Sequence, residues 1–124
     1  MPKDKIKIKW LGDSEEHNYP AAKSYLSLIF DESTASDYVE RLKQASISEF
    51  KSKDISRASG LSLLGISNNE VKKDQRKIES GIKLSPILLV RDSTHGKVII
   101  ADGYHRLCAI YSIDENAVIL CKIV

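Results

Sequence analysis

The chain has 124 residues, 42% of them hydrophobic, enough to bury a core without disulfide or metal staples and too few to expect several domains. A formal net charge of +2 disfavours nucleic acid as a partner on charge grounds. No apolar run approaches the ~20 residues of a membrane span, and the two cysteines fit neither a metal site nor a redox CxxC pair.

Met1 to Lys9 is lysine-rich without an apolar stretch, so it does not read as a signal peptide, and a cytoplasmic location is expected. Lys5-Ile6-Lys7-Ile8-Lys9-Trp10 alternates strictly and predicts a strand with a lysine face. Asp13, Glu15, Glu16 and His17 form a loop of solvated groups, and no second ligand group follows at a spacing that suits a metal. Pro20 fits the first position of a helix with Ala22, Tyr25, Leu26 and Ile29 on one face. Thr34-Ala35-Ser36-Asp37 resembles a capping box opening a second helix, with Tyr38, Val39, Leu42 and Ala45 inward. Residues 1–52 thus read as an extension of a strand and two helices, packed on a core of residues 53–124 within one compact domain. At the junction, Arg57 can form a surface salt bridge to Asp54.

A third helix follows Ser67, its expected cap, and ends before Gly81, where a left-handed residue is wanted. Val71, Ile78 and Ile82 make its apolar stripe. Lys73 and Lys77 lie one turn apart on a neighbouring face, interspersed with Glu70, Asp74 and Glu79, which also fits a solvated surface. After Pro86 come a strand over residues 87–91, a turn at 93–96 and a strand over 97–100.

The segment Ala101-Asp102-Gly103-Tyr104-His105-Arg106-Leu107-Cys108-Ala109 then reads as a strand end, a glycine turn and a helix start. Unpaired N–H groups at a helix N-terminus attract anions. Gly103 lets a phosphate approach that backbone, Arg106 offers a planar fork of donors, and His105 can donate a hydrogen bond or carry a proton. Asp102 sits where an ordinary N-cap would. In the last strand, residues 117–124, an outward Lys122 would send Ile119, Cys121 and Ile123 inward. Cys108 and Cys121 both read as core residues.

Gly103-Tyr104-His105-Arg106-Leu107-Cys108-Ala109 resembles the glycine-x-histidine/arginine-arginine-x-x-alanine box of the ParB/sulfiredoxin superfamily. The flanking helix, glycine, proline, strand, turn, strand and final strand extend that resemblance over residues 53–124. It implies an α+β fold with a small mixed sheet. It also implies a phosphate site of Gly103, Tyr104 and Arg106, with Arg57 nearest the sulfiredoxin arginine that helps hold the phosphate. Lys73 and Lys77 fall where sulfiredoxins place small hydroxyl residues near ATP phosphates. Tyr104 stands where sulfiredoxins carry their catalytic cysteine, which argues against sulfinic acid repair. The glutamate-asparagine-x-x-arginine box of partition proteins is missing, as is their DNA-binding domain, which argues against chromosome partition. As a whole the chain looks like small bacterial proteins, which implies nothing further about activity.

Two classes of function follow. An enzyme, a nucleotide hydrolase or phosphotransferase, would use Arg106, Lys73 and Lys77 against phosphate charge and His105 as donor or general acid. Asp102 would be its base or would hold magnesium. A binding module would use the same groups to recognise a nucleotide, a phosphorylated small molecule or a protein without turnover. A nuclease is the weaker alternative, given the near-neutral charge.

Overall fold

Three short runs rich in branched apolar residues, and one of Ser-Glu-Phe-Lys, are strands in the computed structural model, which describes residues 7–124. They are β1 (Ser48–Lys51), β2 (Ile87–Asp92), β3 (Lys97–Asp102) and β4 (Val118–Ile123), in the sheet order β1-β4-β2-β3. β2 and β3 form an antiparallel hairpin through the 3-10 turn Ser93–His95, and β1 is antiparallel to β4. β4 runs parallel to β2, so the chain must cross over between them. The class is α+β with a mixed sheet.

Ile87-Leu88-Leu89-Val90 is fully buried, the mark of a strand covered on both faces. Ile87 and Leu89 pack with Ile119, Cys121 and the helices α3 (Ser52–Ser59), α4 (Asn69–Glu79) and α5 (Tyr104–Ile113). Leu88 and Val90 face a second core with α1 (Asn18–Leu26) and α2 (Glu32–Gln44). The first fifty residues therefore supply a full layer and, in β1, a strand of the same sheet.

Several local expectations shift. Of the strand expected at Lys5–Trp10, Lys5 and Ile6 lie outside the described residues. Within the remainder only Trp10 pairs, in a single parallel bridge to Leu84. α1 starts two residues before Pro20, and the face it buries carries Tyr19, Ala22 and Leu26. Tyr25 is exposed, and Ile29, also exposed, lies beyond the end of α1 at Leu26. α2 opens on Asp31, whose carboxylate accepts the Thr34 N–H at 2.7 Å, so the cap lies upstream of the expected box. Val39 and Leu42 point inward as expected, Tyr38 is half-buried, and Ala45 is the extended C-cap. Asn68, not Ser67, caps α4 by accepting the N–H groups of Glu70 and Val71. At its other end Gly81 takes φ +74°, with the Ile82 N–H on the Lys77 carbonyl and the Gly81 N–H on that of Ile78.

Lys122 reverses the expected pattern. Its side chain is only 3% exposed, because β4 lies inside the sheet and the face it shares with Leu88 is covered by α1 and α2. The ammonium is satisfied by the Asp13 carboxylate at 2.8 Å, the Tyr19 hydroxyl at 3.0 Å and the Lys43 carbonyl at 3.1 Å. Burial pulls the Lys122 pKa down, but Asp13 and Tyr19 together outweigh it and leave the pKa raised. The hydrogen bond from Lys122 holds the Asp13 carboxyl below its usual range. Ile119 and Cys121 are buried on the opposite face as expected, Ile123 is half-buried, and burial pushes the Cys121 thiol up to about 11.

The pair predicts a stability plateau with two edges. Asp13 contributes above its unfolded value of 3.8 and loses that contribution as pH falls below it; Lys122 contributes below 10.5 and loses it as pH rises past its raised value. Asp13→Asn should cost about 1 kcal/mol at neutral pH, since Asp13 is largely exposed, and should flatten the acid edge. Urea denaturation across pH measures both.

Candidate functional site

β3 ends at Asp102, and the chain turns into α5 through Gly103 at φ +112°. A Cβ there would stand 2.8 Å from Ile87 Cγ2 and 2.9 Å from an Arg106 guanidinium nitrogen, so only glycine makes this turn. Leu107 N–H donates to the Gly103 carbonyl at 3.0 Å, the first rung of α5. The Tyr104, His105 and Arg106 amides precede that rung, and no side chain caps the helix.

Asp102, at the position of an ordinary cap, does not cap α5. Its carboxylate turns instead to Arg106, with Oδ2 3.1 Å from Nη2, in a pair that is mostly buried on both sides. A carboxylate committed one turn along the helix cannot also reach the first amides. Arg106 Nε is buried without a hydrogen-bond partner. Tyr104 donates its hydroxyl to the Ser62 carbonyl, and the Leu64 N–H meets Cys108 Sγ at 3.4 Å, so α5 pins the loop after α3 at two points. Burial, with Cys108 beside it, raises the Tyr104 pKa.

α4 faces this turn. Gln75 Nε2 donates to Ser112 Oγ at 2.7 Å, while Val71 and Ile78 enter the core. Glu70, Lys73, Asp74 and Lys77 follow one another at helical spacing and line a cavity of about 190 Å³ whose other wall is Asp102 to Arg106. Lys73, Lys77, Asp102, Gly103, Tyr104, His105 and Arg106 therefore share one cleft. Arg57 does not join them: it lies on α3, 87% exposed, 3.7 Å from Asp54, in a different depression with Lys53 and Tyr111. α3 carries the guanidinium away from the phosphate site that the resemblance implied for it.

Glu70 and Asp74 are the residues that sequence reading passed over. In the sequence they also fit a solvated face, although positions 70, 73, 74 and 77 are spaced as one stripe beside the apolar stripe of Val71 and Ile78. Lys73, Lys77 and Arg106 are thus matched by three carboxylates, with His105 in the same lining. Burial, aided by Glu70, raises the Asp74 pKa against the opposing pull of Lys77, Arg106 and His105. Among the described residues no three His, Cys, Asp or Glu side chains gather as a metal-ligating group. Glu70 and Asp74 are the carboxylates left to meet a cation brought in by a ligand, because Asp102 is held by Arg106.

Gly103→Ala should cost about 2–4 kcal/mol in denaturant unfolding, from strain at positive φ plus overpacking against Ile87. Gly12→Ala, with nothing within 4 Å of its Cβ, should stay within about 0.5 kcal/mol.

No protein-family model, curated protein or solved structure matches the chain, so the reading of this cleft rests on its own geometry.

Proposed function

We propose that this chain binds a nucleotide or another phosphate-bearing small molecule, with the phosphate seated between α4 and the first turn of α5. One observation carries this reading: Lys73, Lys77, His105 and Arg106 line the same polar cavity as the uncapped start of α5. Ammonium, guanidinium and helix amides are the groups that recognise phosphate oxygens. At about 190 Å³ the cavity suits a phosphate and its neighbouring atoms, so a nucleotide base would lie over the rim. Because three carboxylates balance three cations, a bare polyanion gains little net attraction. A magnesium-complexed phosphate fits better, since the ion would be met by Glu70 and Asp74 and by the ligand's own oxygens.

For chemistry, His105 is the group left to move a proton. Asp102 acts as a positioning residue for the Arg106 guanidinium. The alternative, recognition without turnover, uses the same contacts and is separated by phosphate release from bound nucleotide. The order α4, Gly81, Pro86, β2, turn, β3, glycine box, α5, β4 supports the ParB/sulfiredoxin-like fold as part of this proposal. The free, buried thiols of Cys108 and Cys121 support a reducing, cytoplasmic setting. Among the described residues no helix is long and apolar enough to cross a membrane.

A thermal-shift panel of nucleotides and phosphate esters, with and without magnesium, tests the reading, because a ligand bound only by the folded state raises Tm. Lys73→Glu/Lys77→Glu should abolish the shift, at about 1.5–3 kcal/mol of binding per lost charged contact. Lys72→Glu/Arg76→Glu, the same charge change on the exposed face of α4, should leave it. If no phosphate ligand moves Tm, the proposal is wrong.

Asp74 gives a second expectation. Its raised pKa means the fold disfavours its ionised form, so its contribution to stability is full below 3.8 and declines as pH rises toward the folded value. Asp74→Asn should therefore hold or gain stability at neutral pH and bind inorganic phosphate more tightly. Weaker phosphate binding by calorimetry would show that the carboxylate helps the anion rather than opposing it.

A further inference from the structure

The edge strand β1 carries a register code that its own fold does not use. Ser52 N–H donates to the Ala117 carbonyl at 2.9 Å, and Ser48 and Phe50 pair with Cys121 and Ile119 in the same alternating phase. In an antiparallel ladder these residues turn their backbone groups toward β4, and Glu49 and Lys51 turn theirs outward. No turn, cap or side chain among the described residues takes up the Glu49 or Lys51 amide. Glu49, Phe50 and Lys51 are all exposed, Phe50 by 39%.

We propose that β1 is a self-complementary edge through which two copies of this chain pair antiparallel about a two-fold axis at Phe50. Outward groups must meet outward groups, so near the centre of the strand the axis can pass only through Glu49, Phe50 or Lys51. An axis at Glu49 sets two carboxylates face to face, and one at Lys51 sets two ammonium groups face to face. The axis at Phe50 sets Glu49 of each copy opposite the partner's Lys51, twice, so charge selects one register of three. In that register each Lys51 N–H donates to the partner's Glu49 carbonyl. The Lys51 carbonyl is already engaged at the start of α3, where Lys51 is the N-cap. The two Phe50 rings meet as a non-hydrogen-bonded pair, the closer of the two kinds. They would extend the apolar groove of Ile55, Ala58, Val98 and Ile123 across the axis, giving that groove its cover. So small a contact makes a weak, concentration-dependent dimer.

Sedimentation equilibrium over a concentration series reads the association directly. The wild-type chain should approach twice its 13.9 kDa mass as concentration rises. Lys51 has φ −70°, close to proline's own value, and its N–H faces outward, so Lys51→Pro fits the monomer and removes only the donor to the second copy. That variant should stay monomeric with an unchanged circular dichroism spectrum. Should it fail to fold, charge reversal gives an independent reading: Glu49→Lys should be monomeric, and Glu49→Lys/Lys51→Glu should recover the dimer. A wild-type chain that stays monomeric throughout, or a dimer that Glu49→Lys leaves intact, would overturn the inference. The first result would leave the edge to a different chain.

Discussion

Much of the architecture answers to a single requirement, that Ile87-Leu88-Leu89-Val90 be dry on both faces. A strand with side chains alternating to two sides needs two layers of cover, and α3, α4 and α5 provide one of them. The other must come from the N-terminal helices, so α1 and α2 complete the sheet rather than decorate it. Lys122 follows from the same requirement. Its strand position sends it into the covered face, and Asp13, Tyr19 and Lys43 are the polar groups that make this tolerable. A charge in that position also fixes which face of β4 meets α1, since the slip of one residue would turn Ile119 and Cys121 toward Asp13 and leave the ammonium among Ile87 and Leu89.

The cleft rests on a neighbouring constraint. Ile87 presses on the turn at Gly103 closely enough to forbid a side chain, and the backbone it exposes is the start of α5. An ordinary cap would have closed that helix end. Asp102 orients Arg106 instead, leaving the amides open and holding the guanidinium in one place. Capping of the helix is given up locally for an opening of unpaired amide donors, a trade often met at sites that bind ligands.

Periodicity made the central elements legible. The runs at 87–92, 97–102 and 118–123 are apolar and bounded by turn residues, and α4 shows both its apolar stripe and its Gly81 stop. The motif at Gly103 led to the cleft, and the one-turn spacing of Lys73 and Lys77 was visible. What escaped was whatever depends on a partner distant in the chain. The face Lys122 takes is decided by helices about a hundred residues earlier in sequence, an order of separation at which local pattern carries no information. Arg57 lies away from the cleft because α3 carries it, and an arginine with few apolar neighbours gives no local sign of the direction it will take. Asp74 also fits a surface carboxylate in the sequence because burial is a tertiary property, and the approach of α5 takes it partly out of water.

The pairing of Ser48 with Cys121 has a bearing on how the chain is made. Its first strand must wait for its last, and Trp10 must wait for Leu84. Until β2 and β4 leave the ribosome, α1 and α2 have no sheet to cover, and Leu26, Val39 and Leu42 can bury themselves only against each other. The order of synthesis therefore favours a helical hairpin that forms early and is marginal alone, followed by late, long-range closure of the sheet. During that interval the apolar run of β2 is the segment most in need of protection from other chains.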